Sequence, residues 1–342
     1  MALSSNTTTY DDISPSVRGK AVKKLLERGQ HLMVTERFGH FDPQPKNSTT
    51  TRKWRRYNSL PRATAPLAEG VPPSGHKLTH TDVTATLEFY GDVVKLTNII
   101  ADTHLDPVLN ETMNICGEQA AETIEEIRIN FMKSGTNVFY ADGATTRATV
   151  NSPPTRGDFR KIYRYFKSAK AREISEIISA TAKISTEPVE AAYFVMGHTD
   201  LDADIRGISG FVPSAQYSES GKRLPGEIGK IENFRIVLTA MFDPWQAAGT
   251  SGTTYLSGGV EVSAAAACDV YPLIIVARDA YAIVPLQGFG SVDIAVVNPG
   301  KKTKDDPLGQ IGFVSWGMYQ TGAILNQTWV ARLECAATAS PS

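Results

Sequence analysis

The chain has 342 residues, 42% of them hydrophobic, which is enough for two domains or one elaborate domain with a sizeable core. Its formal net charge is −1, but residues 1–75 carry 12 Lys/Arg against 6 Asp/Glu (+6), and the remainder carries 23 against 30 (−7). Three cysteines without a CxxC pair argue against a disulfide framework or a zinc site. The basic arm predicts contact with nucleic acid or with the acidic body of a neighbouring copy, and a solvated polar tail is the alternative.

The first 92 residues are polar, rich in Pro and Gly and poor in hydrophobic periodicity, so they are either disordered or packed on another chain. The dense patch at 52–57 interleaves basic residues with Trp54 and Tyr57, which suits contact with nucleic acid and packing against another subunit equally well. The stretch from Pro61 to Asp92 predicts an extended two-stranded excursion that turns near residues 72–75. Because a lone hairpin is marginal in water, it has to lie on something.

A long amphipathic helix is predicted from Pro107 to Ser134, with Asp106 as its cap and Gly135 at its end. Apolar or small residues recur at a spacing of three and four, which marks one buried stripe. Its members are Leu109, Met113, Cys116, Ala120, Ile124, Ile127 and Phe131. Acidic residues are expected mostly on the opposite face, at positions Glu111, Glu118, Glu122, Glu125 and Glu126. A helix of this length is expected to serve as a spine that supports other elements.

A second, strongly basic helix is predicted to begin at Asp158, with Phe159, Ile162, Tyr163 and Phe166 inward. A solvated face is the ordinary interpretation of its charges, and a face toward a polyanion is the sharper one. Strands are expected at 192–196, 230–239, 273–277 and 291–297, with 311–333 completing one sheet. Helices and strands are interspersed without strict βαβ alternation, which indicates an α+β fold.

Residues able to carry chemistry are sparse. The segment from His198 to Asp204 alternates oxygen ligands, but a helix start with Thr199 as its cap explains it better than a metal site. No phosphate-binding loop, GxSxG or HExxH motif occurs, so we predict no enzyme, catalytic residue, cofactor or metal. The stretch Pro307 to Val330 lacks charges but is too polar for a membrane helix, and paired strands turning near 320–322 fit better.

Several short motifs, taken in order, resemble the major capsid proteins of tailed bacteriophages, which share the Hong Kong 97-type shell fold. The resemblance covers roughly residues 55–335, and the ordered set is more specific than any one member. The motifs are Pro66–Gly70 with Tyr90–Asp92, Gly226–Arg235, Ala277–Tyr281, Asn298–Gly300 leading to Asp306–Leu308, Val314–Trp316 and Ala331–Glu334.

The resemblance implies a division of the chain. Residues 1–58 would form an N-terminal arm and 59–92 an extended loop that lies over a neighbour. Residues 93–189 and 287–342 would form a peripheral domain with the spine helix 107–134, and 190–286 an axial domain around the five- and sixfold axes.

It also implies a shell protein of the virion that assembles in the host cytoplasm into pentamers and hexamers and encloses double-stranded DNA. Portal and scaffolding or decoration proteins are expected as partners, with no membrane. Candidate contacts between subunits are Arg52, Trp54, Arg55, Arg56, Glu69, Lys77, Lys301, Lys302 and Asp305. Candidate DNA-facing residues are Arg160, Arg164 and Lys167. An encapsulin-like cellular compartment and a nucleic-acid-binding protein with a basic arm stay open as alternatives.

Overall fold

The structure is a computed structural model, and it describes most of the chain after residue 32. The described residues are 33–64, 66, 75–98, 108–178, 186–217, 224, 226–251, 255–257, 260–261, 267–287, 292–300 and 307–339. Within them two sheets and a long helix dominate, and no helix is long and apolar enough to cross a membrane.

The smaller main sheet has five strands arranged around one long strand. The strands are β1 (His40–Phe41), β4 (Glu88–Thr97), β14 (Tyr281–Pro285), β15 (Asp293–Val297) and the long strand β16 (Ile311–Ile324). Strand β16 pairs antiparallel with β4 over its first ten residues, with β15 on residues 313–317 and with β14 on residues 320–324. Strand β1 adds to β14 in parallel.

The larger sheet has eight strands, which are β5 (Val138–Tyr140), β6 (Ile174–Ile178), β7 (Thr186–Gly197), β8 (Phe211–Pro213), β9 (Glu227–Ile231), β10 (Phe234–Leu238), β13 (Tyr271–Val276) and β17 (Val330–Cys335). Their order is β5-β17-β13-β7-β10-β9-β8, with β6 paired to β7. All residues of β10 and β13 are buried. The apolar run of β13 predicts this for a central strand, whereas β10 also buries the charged Arg235. Two further ribbons are β2 (Thr51–Tyr57) with β3 (His80–Thr86), and β11 (Leu256–Ser257) with β12 (Val260–Glu261).

The two main sheets are joined by two short connections that lie side by side. Residues 277–280 lead from β13 to β14, and residues 325–329 lead from β16 to β17. The backbone amides of Leu325 and Asn326 both donate to the carbonyl of Ala280, at 2.9 and 3.2 Å, and the amide of Ala277 donates to the carbonyl of Trp329. The crossing between sheets is therefore a paired, hydrogen-bonded unit.

The spine helix, α1 (Val108–Lys133), confirms the predicted helix to within one residue at each end. Its small and aliphatic residues Cys116, Ala120 and Ile124 pack against the inner face of the five-stranded sheet, where Val314 and Trp316 lie. This contact buries one stripe of the helix and one face of the sheet, as the 3.6-residue period requires. Two shorter helices follow, α2 (Arg156–Ser168) and α3 (Asp202–Arg206).

One acidic residue of the spine helix lies where the sequence did not predict it. Glu125 is fully buried, whereas Glu111, Glu122 and Glu126 are exposed as expected. The reason is that residues 33–38, some 90 positions earlier in the chain, lie across the C-terminal half of the helix and cover Glu125. A helical period cannot reveal a cover that comes from a distant segment.

Helix α2 begins two residues before the predicted start. Thr155 is its N-cap, and the Thr155 hydroxyl and the Asp158 carboxylate form a capping box, so Asp158 stands at the third helical position. Phe159, Ile162 and Phe166 are buried as predicted, and Tyr163 is half-buried.

Two strand predictions are wrong in detail. Residues 230–239 are not one strand but the hairpin β9–β10, which turns at Glu232, where φ is +52°. Residues 311–333 do not form one sheet, because β16 runs without a turn through 320–322, and β17 pairs with β13 in the other sheet. Gln320 suggested a turn because it is polar, but it is buried inside the strand.

The sheets do not follow the predicted domain bounds. Strands β5 and β17 come from the ranges assigned to the peripheral domain, yet they belong to the same sheet as β7 and β13. Strand β14 comes from the range 190–286, yet it pairs with β16 in the five-stranded sheet. The division by sheets therefore crosses the predicted division at both of these places.

Candidate assembly surfaces

The β2–β3 hairpin exposes most of its side chains. Strand β2 carries the basic patch and pairs antiparallel with β3, with Arg52 opposite Ala85 and Arg55 opposite Asp82. The two-stranded element therefore includes the patch that was assigned to the arm. The predicted turn at 72–75 lies mostly outside the described residues.

One face of the hairpin is fastened to the body by a single carboxylate. Arg52 donates to both oxygens of Asp42, at 2.6–2.9 Å, and the Nε1 of Trp54 donates to Asp42 Oδ2 at 2.9 Å. Asp42 itself is fixed, because its amide donates to the carbonyl of Ile283 beside β1. Arg52 and Trp54, predicted as contacts between subunits, thus reach a partner within their own chain, which sets the hairpin's direction.

The other face of the hairpin carries a second internal pairing. The Arg55 guanidinium donates to Asp82 at 3.0 Å, and the Lys53 ammonium lies 2.7 Å from the same carboxylate. The hydrogen bond from Arg55, together with that from Lys53, holds the pKa of Asp82 well below its usual range. Two cations share one carboxylate here, so the face keeps a positive charge.

Beyond these pairings the hairpin presents unburied groups. Arg56 and Lys77 are exposed, and so are the apolar side chains of Tyr57, Leu60 and Leu78, at 64%, 51% and 62%. Side chains that combine positive charge with large apolar and aromatic surface are typical of interfaces. The remaining predicted contacts, Glu69, Lys301, Lys302 and Asp305, lie outside the described residues.

The spine helix offers a surface of the opposite sign. Glu111, Glu122 and Glu126 are exposed along one side of α1, and Ile115, 59% exposed, lies on the same side. We name this side, with Glu118, the acidic stripe. It has the charge and the apolar group that would complement the hairpin of another copy.

The basic helix α2 is largely paired within the chain. Arg160 and Arg156 both donate to Glu232, at 2.8 and 2.9 Å, and these bonds lower the pKa of Glu232. Lys167 donates to Glu173 at 2.7 Å, which raises the pKa of the lysine. Of the three predicted DNA-facing residues, Arg164 alone has no ion pair in the described chain, and its side chain is exposed.

The segment from His198 to Asp204 is a helix start, as predicted, but with a different cap. His198 Nδ1 accepts from the amide of Asp200, and the Tyr271 hydroxyl donates to the Asp200 carboxylate at 2.8 Å. Asp204 accepts from the amide of Thr338. Among the described residues no group of three or more His, Cys, Asp or Glu side chains is arranged to hold a metal.

Comparisons with known proteins point in one direction. No protein-family model matches the chain. The major capsid protein of Pseudomonas phage KPP21 is 24% identical over 250 residues, which cover 69% of this chain and 62% of that protein. The chain thus spans less than two thirds of that curated relative.

Solved structures match over nearly the whole chain. The capsid asymmetric unit of cyanophage Pam1 aligns with a TM-score of 0.63 at 12% identity and covers 92% of this chain and 93% of that one. The capsid of Ralstonia phage GP4 aligns with a TM-score of 0.62 at 13% identity, over 91% and 94%. An encapsulin from Synechococcus elongatus aligns with 0.51 at 10%, over 98% and 92%.

These matches confirm the α+β class and the Hong Kong 97-type shell fold. They also confirm the predicted resemblance to the major capsid proteins of tailed phages.

Proposed function

We propose that this chain is a major capsid protein that assembles with copies of itself into the icosahedral shell around the double-stranded DNA of a tailed phage. The observation that carries this proposal is the match to phage capsid chains over more than nine tenths of both partners. The curated relative is a structural capsid protein, and catalysis is not part of the proposal.

The hairpin explains how one copy would hold the next. A two-stranded ribbon with few buried side chains is marginal alone, and within β2 and β3 only Ala85 is buried. Docking on the acidic stripe of a neighbouring copy would pair Arg56 and Lys77 with Glu122 and Glu126 and cover the exposed apolar groups. Each contact can be weak, because the closed shell repeats it many times.

Finer parts of the proposal concern partners and place. We expect pentamers and hexamers, a portal, and scaffolding or decoration proteins, because the resemblance to the capsid family implies them. Arg164 is the strongest remaining candidate for contact with packaged DNA, since Arg160 and Lys167 already pair with carboxylates. Assembly would occur in the host cytoplasm, and the product would be the virion capsid.

A charge-exchange experiment tests the docking directly. The double variant Arg56→Glu/Lys77→Glu is expected to fold but to form few closed shells, because like charges then face each other. Glu122→Lys/Glu126→Lys should fail in the same way, and the fourfold variant should regain shells. Electron microscopy and sedimentation of the purified full chain provide the readout.

Arg172→Glu is the matched control, because it reverses an exposed arginine that belongs neither to the hairpin nor to the candidate DNA contacts, and it should assemble normally. Normal shells from Arg56→Glu/Lys77→Glu would contradict the docking while leaving the capsid function intact. Absence of closed particles from the wild-type chain, alone and with its co-expressed neighbouring genes, would contradict the function itself.

An encapsulin-like compartment is the second candidate, because an encapsulin shares the fold. The contents of purified particles discriminate: packaged double-stranded DNA supports the phage capsid, and a loaded protein cargo supports the compartment. A soluble nucleic-acid-binding protein is less well supported, because Arg52, Arg55, Arg160 and Lys167 are paired within the chain. Tight, salt-dependent DNA binding by dissociated subunits would favour it.

A further inference from the structure

The segment that covers Glu125 is held with unusual specificity. We name residues 33–38 the strap. The Glu125 Oε1 accepts from the backbone amides of Val34 and Thr35, at 3.0 and 2.9 Å, and Oε2 accepts from the Thr35 hydroxyl at 2.6 Å. The Tyr281 hydroxyl donates to the Thr35 carbonyl from the other side. Because two consecutive amides meet one oxygen, only one register of the strap satisfies all these bonds.

Apolar contacts also hold the strap in its place against the body of the subunit. Val34 and Phe38 are buried, and the Phe38 ring stacks on Phe194 with centroids 4.2 Å apart. The strap carries a short 3-10 turn, Thr35–Arg37, whose own N-cap residue provides no side-chain bond. The carboxylate of Glu125 supplies that cap from the spine helix, 90 residues away in sequence.

The two backbone amides and the Thr35 hydroxyl of the strap can bind the Glu125 carboxyl group in both of its protonation states. When Glu125 is ionised, it accepts all three hydrogen bonds. When Oε2 is protonated, Oε1 still accepts from both amides, and the Thr35 hydroxyl reverses its role and accepts from Oε2. Since the neutral form loses no partner on Glu125 and avoids the cost of burying a charge, the docked strap favours it.

The charged groups around Glu125 come from each element that packs on it. Arg128, on the same helix, is buried and pairs with Glu36 of the strap at 3.2 Å, and Arg37 of the strap lies nearby. Strand β14 contributes the phenol of Tyr281, whose pKa burial raises well above normal. Strand β16 contributes the uncharged Gln320, and on β6 the carboxylate of Glu176 pairs with Arg278. Burial raises the pKa of Glu125, and Arg128 and the three donors only partly offset it.

We propose that Glu125 is a proton-linked latch that fastens the strap to the spine helix more firmly when its carboxyl group is neutral. An undocked strap would leave Glu125 in water with an ordinary titration, so docking and proton uptake favour each other. The stabilisation of the docked strap by protonation of Glu125 is fully present below the undocked pKa and is lost as the pH rises through the docked pKa. Acidification therefore tightens the strap, and a rise in pH loosens it. The inference concerns a single subunit and does not depend on the proposed shell.

Hydrogen exchange of the strap tests the latch in the dissociated full-length chain. Protection of the peptide spanning residues 33–38, corrected for the intrinsic exchange rate, should fall by up to about tenfold per pH unit between the undocked and the docked pKa and level off above the docked pKa. Glu125→Gln keeps an amide oxygen for both backbone donors and an NH₂ donor for Thr35, so it should remain protected at every pH. Glu125→Ala should lose at least about tenfold in protection throughout, because two buried amides lose their acceptor.

Glu190→Gln is the matched control, since it changes an exposed glutamate that lies outside both the strap contacts and the acidic stripe, and it should follow the wild type at every pH. A wild-type strap whose corrected protection does not vary with pH would overturn the proposal. Equal loss of protection in Glu125→Gln and Glu125→Ala would also overturn it, because that result would show that the strap requires the ionised carboxylate. If Glu125→Ala does not fold, the comparison of Glu125→Gln with the wild type still decides.

Discussion

The eight-stranded sheet and the β2–β3 hairpin are both made of β-strands, but different forces hold them. In the sheet, β10 and β13 bury every residue, and their order follows from the removal of apolar surface from water. In the hairpin, cross-strand pairing and ion pairs to Asp42 and Asp82 define the geometry, while the side chains of Tyr57, Leu60 and Leu78 stay exposed. The sheet completes its contacts inside one subunit, whereas the hairpin leaves a set of contacts unfilled that suits a second copy.

The largest effect is expected when an aromatic ring is removed from each region in turn. Phe234 is fully buried and touches Phe159 and Tyr193, so Phe234→Ala should lower the free energy of unfolding by about 3–5 kcal/mol. Tyr57→Ala in the hairpin should change it by no more than about 0.5 kcal/mol. Urea denaturation of dissociated subunits measures both, and equal losses would contradict the contrast.

A smaller difference is expected for the ion pairs of the two regions. Glu227 and Arg235 are both buried, with Nη2 and Oε2 2.6 Å apart, and Glu227 also accepts from Tyr217. Glu227→Gln leaves the arginine charge without its counter-ion and should cost about 3 kcal/mol. Asp82→Asn in the hairpin should leave the unfolding transition where it is, because water replaces the lost partner. A large shift of that transition would show that the hairpin belongs to the folding core.

The smallest expected effect on stability concerns the fastening of the hairpin. Asp42→Asn removes the charge that Arg52 and Trp54 share, so residues 51–86 should become much more sensitive to limited proteolysis. The unfolding transition of the body should move little. Asp279→Asn, which changes an exposed aspartate whose ion pairs to His40 and Arg278 are both as long as 3.8 Å, is the control. Unchanged cleavage of Asp42→Asn would mean that strand pairing alone holds the hairpin.

The elements that sequence predicted well are those with a local signal. The spine helix has a cap residue, a stripe and a glycine, and the strands around Val195 and Ile275 have continuous apolar runs. What sequence missed depends on distant partners. Nothing near Glu125 predicts the strap, and nothing near Gln320 predicts that Arg128 lies beside it. The turn at Glu232–Asn233 did have a local signal, because asparagine is common in turns.

The candidate surface was only partly within reach of sequence. The basic and aromatic composition of residues 52–57 correctly singled out the segment, but period-two alternation was needed to see that Arg52 and Trp54 share one face. Their partner, Asp42, stands ten and twelve positions earlier, at a spacing that no local rule predicts. Arg56 and Lys77 are exposed, and Arg56 stands opposite the uncharged Thr81 in the strand register.

The two connections between the main sheets have a mechanical consequence. Residues 277–280 and 325–329 are hydrogen-bonded to each other, so the sheets are coupled along one line rather than at one point. Shear of one sheet past the other would break these bonds, and rotation about the line would open the core cluster that buried residues of both sheets share, among them Phe194 and Ile283. A force applied to one sheet is therefore passed on to the other sheet rather than absorbed at the junction between them.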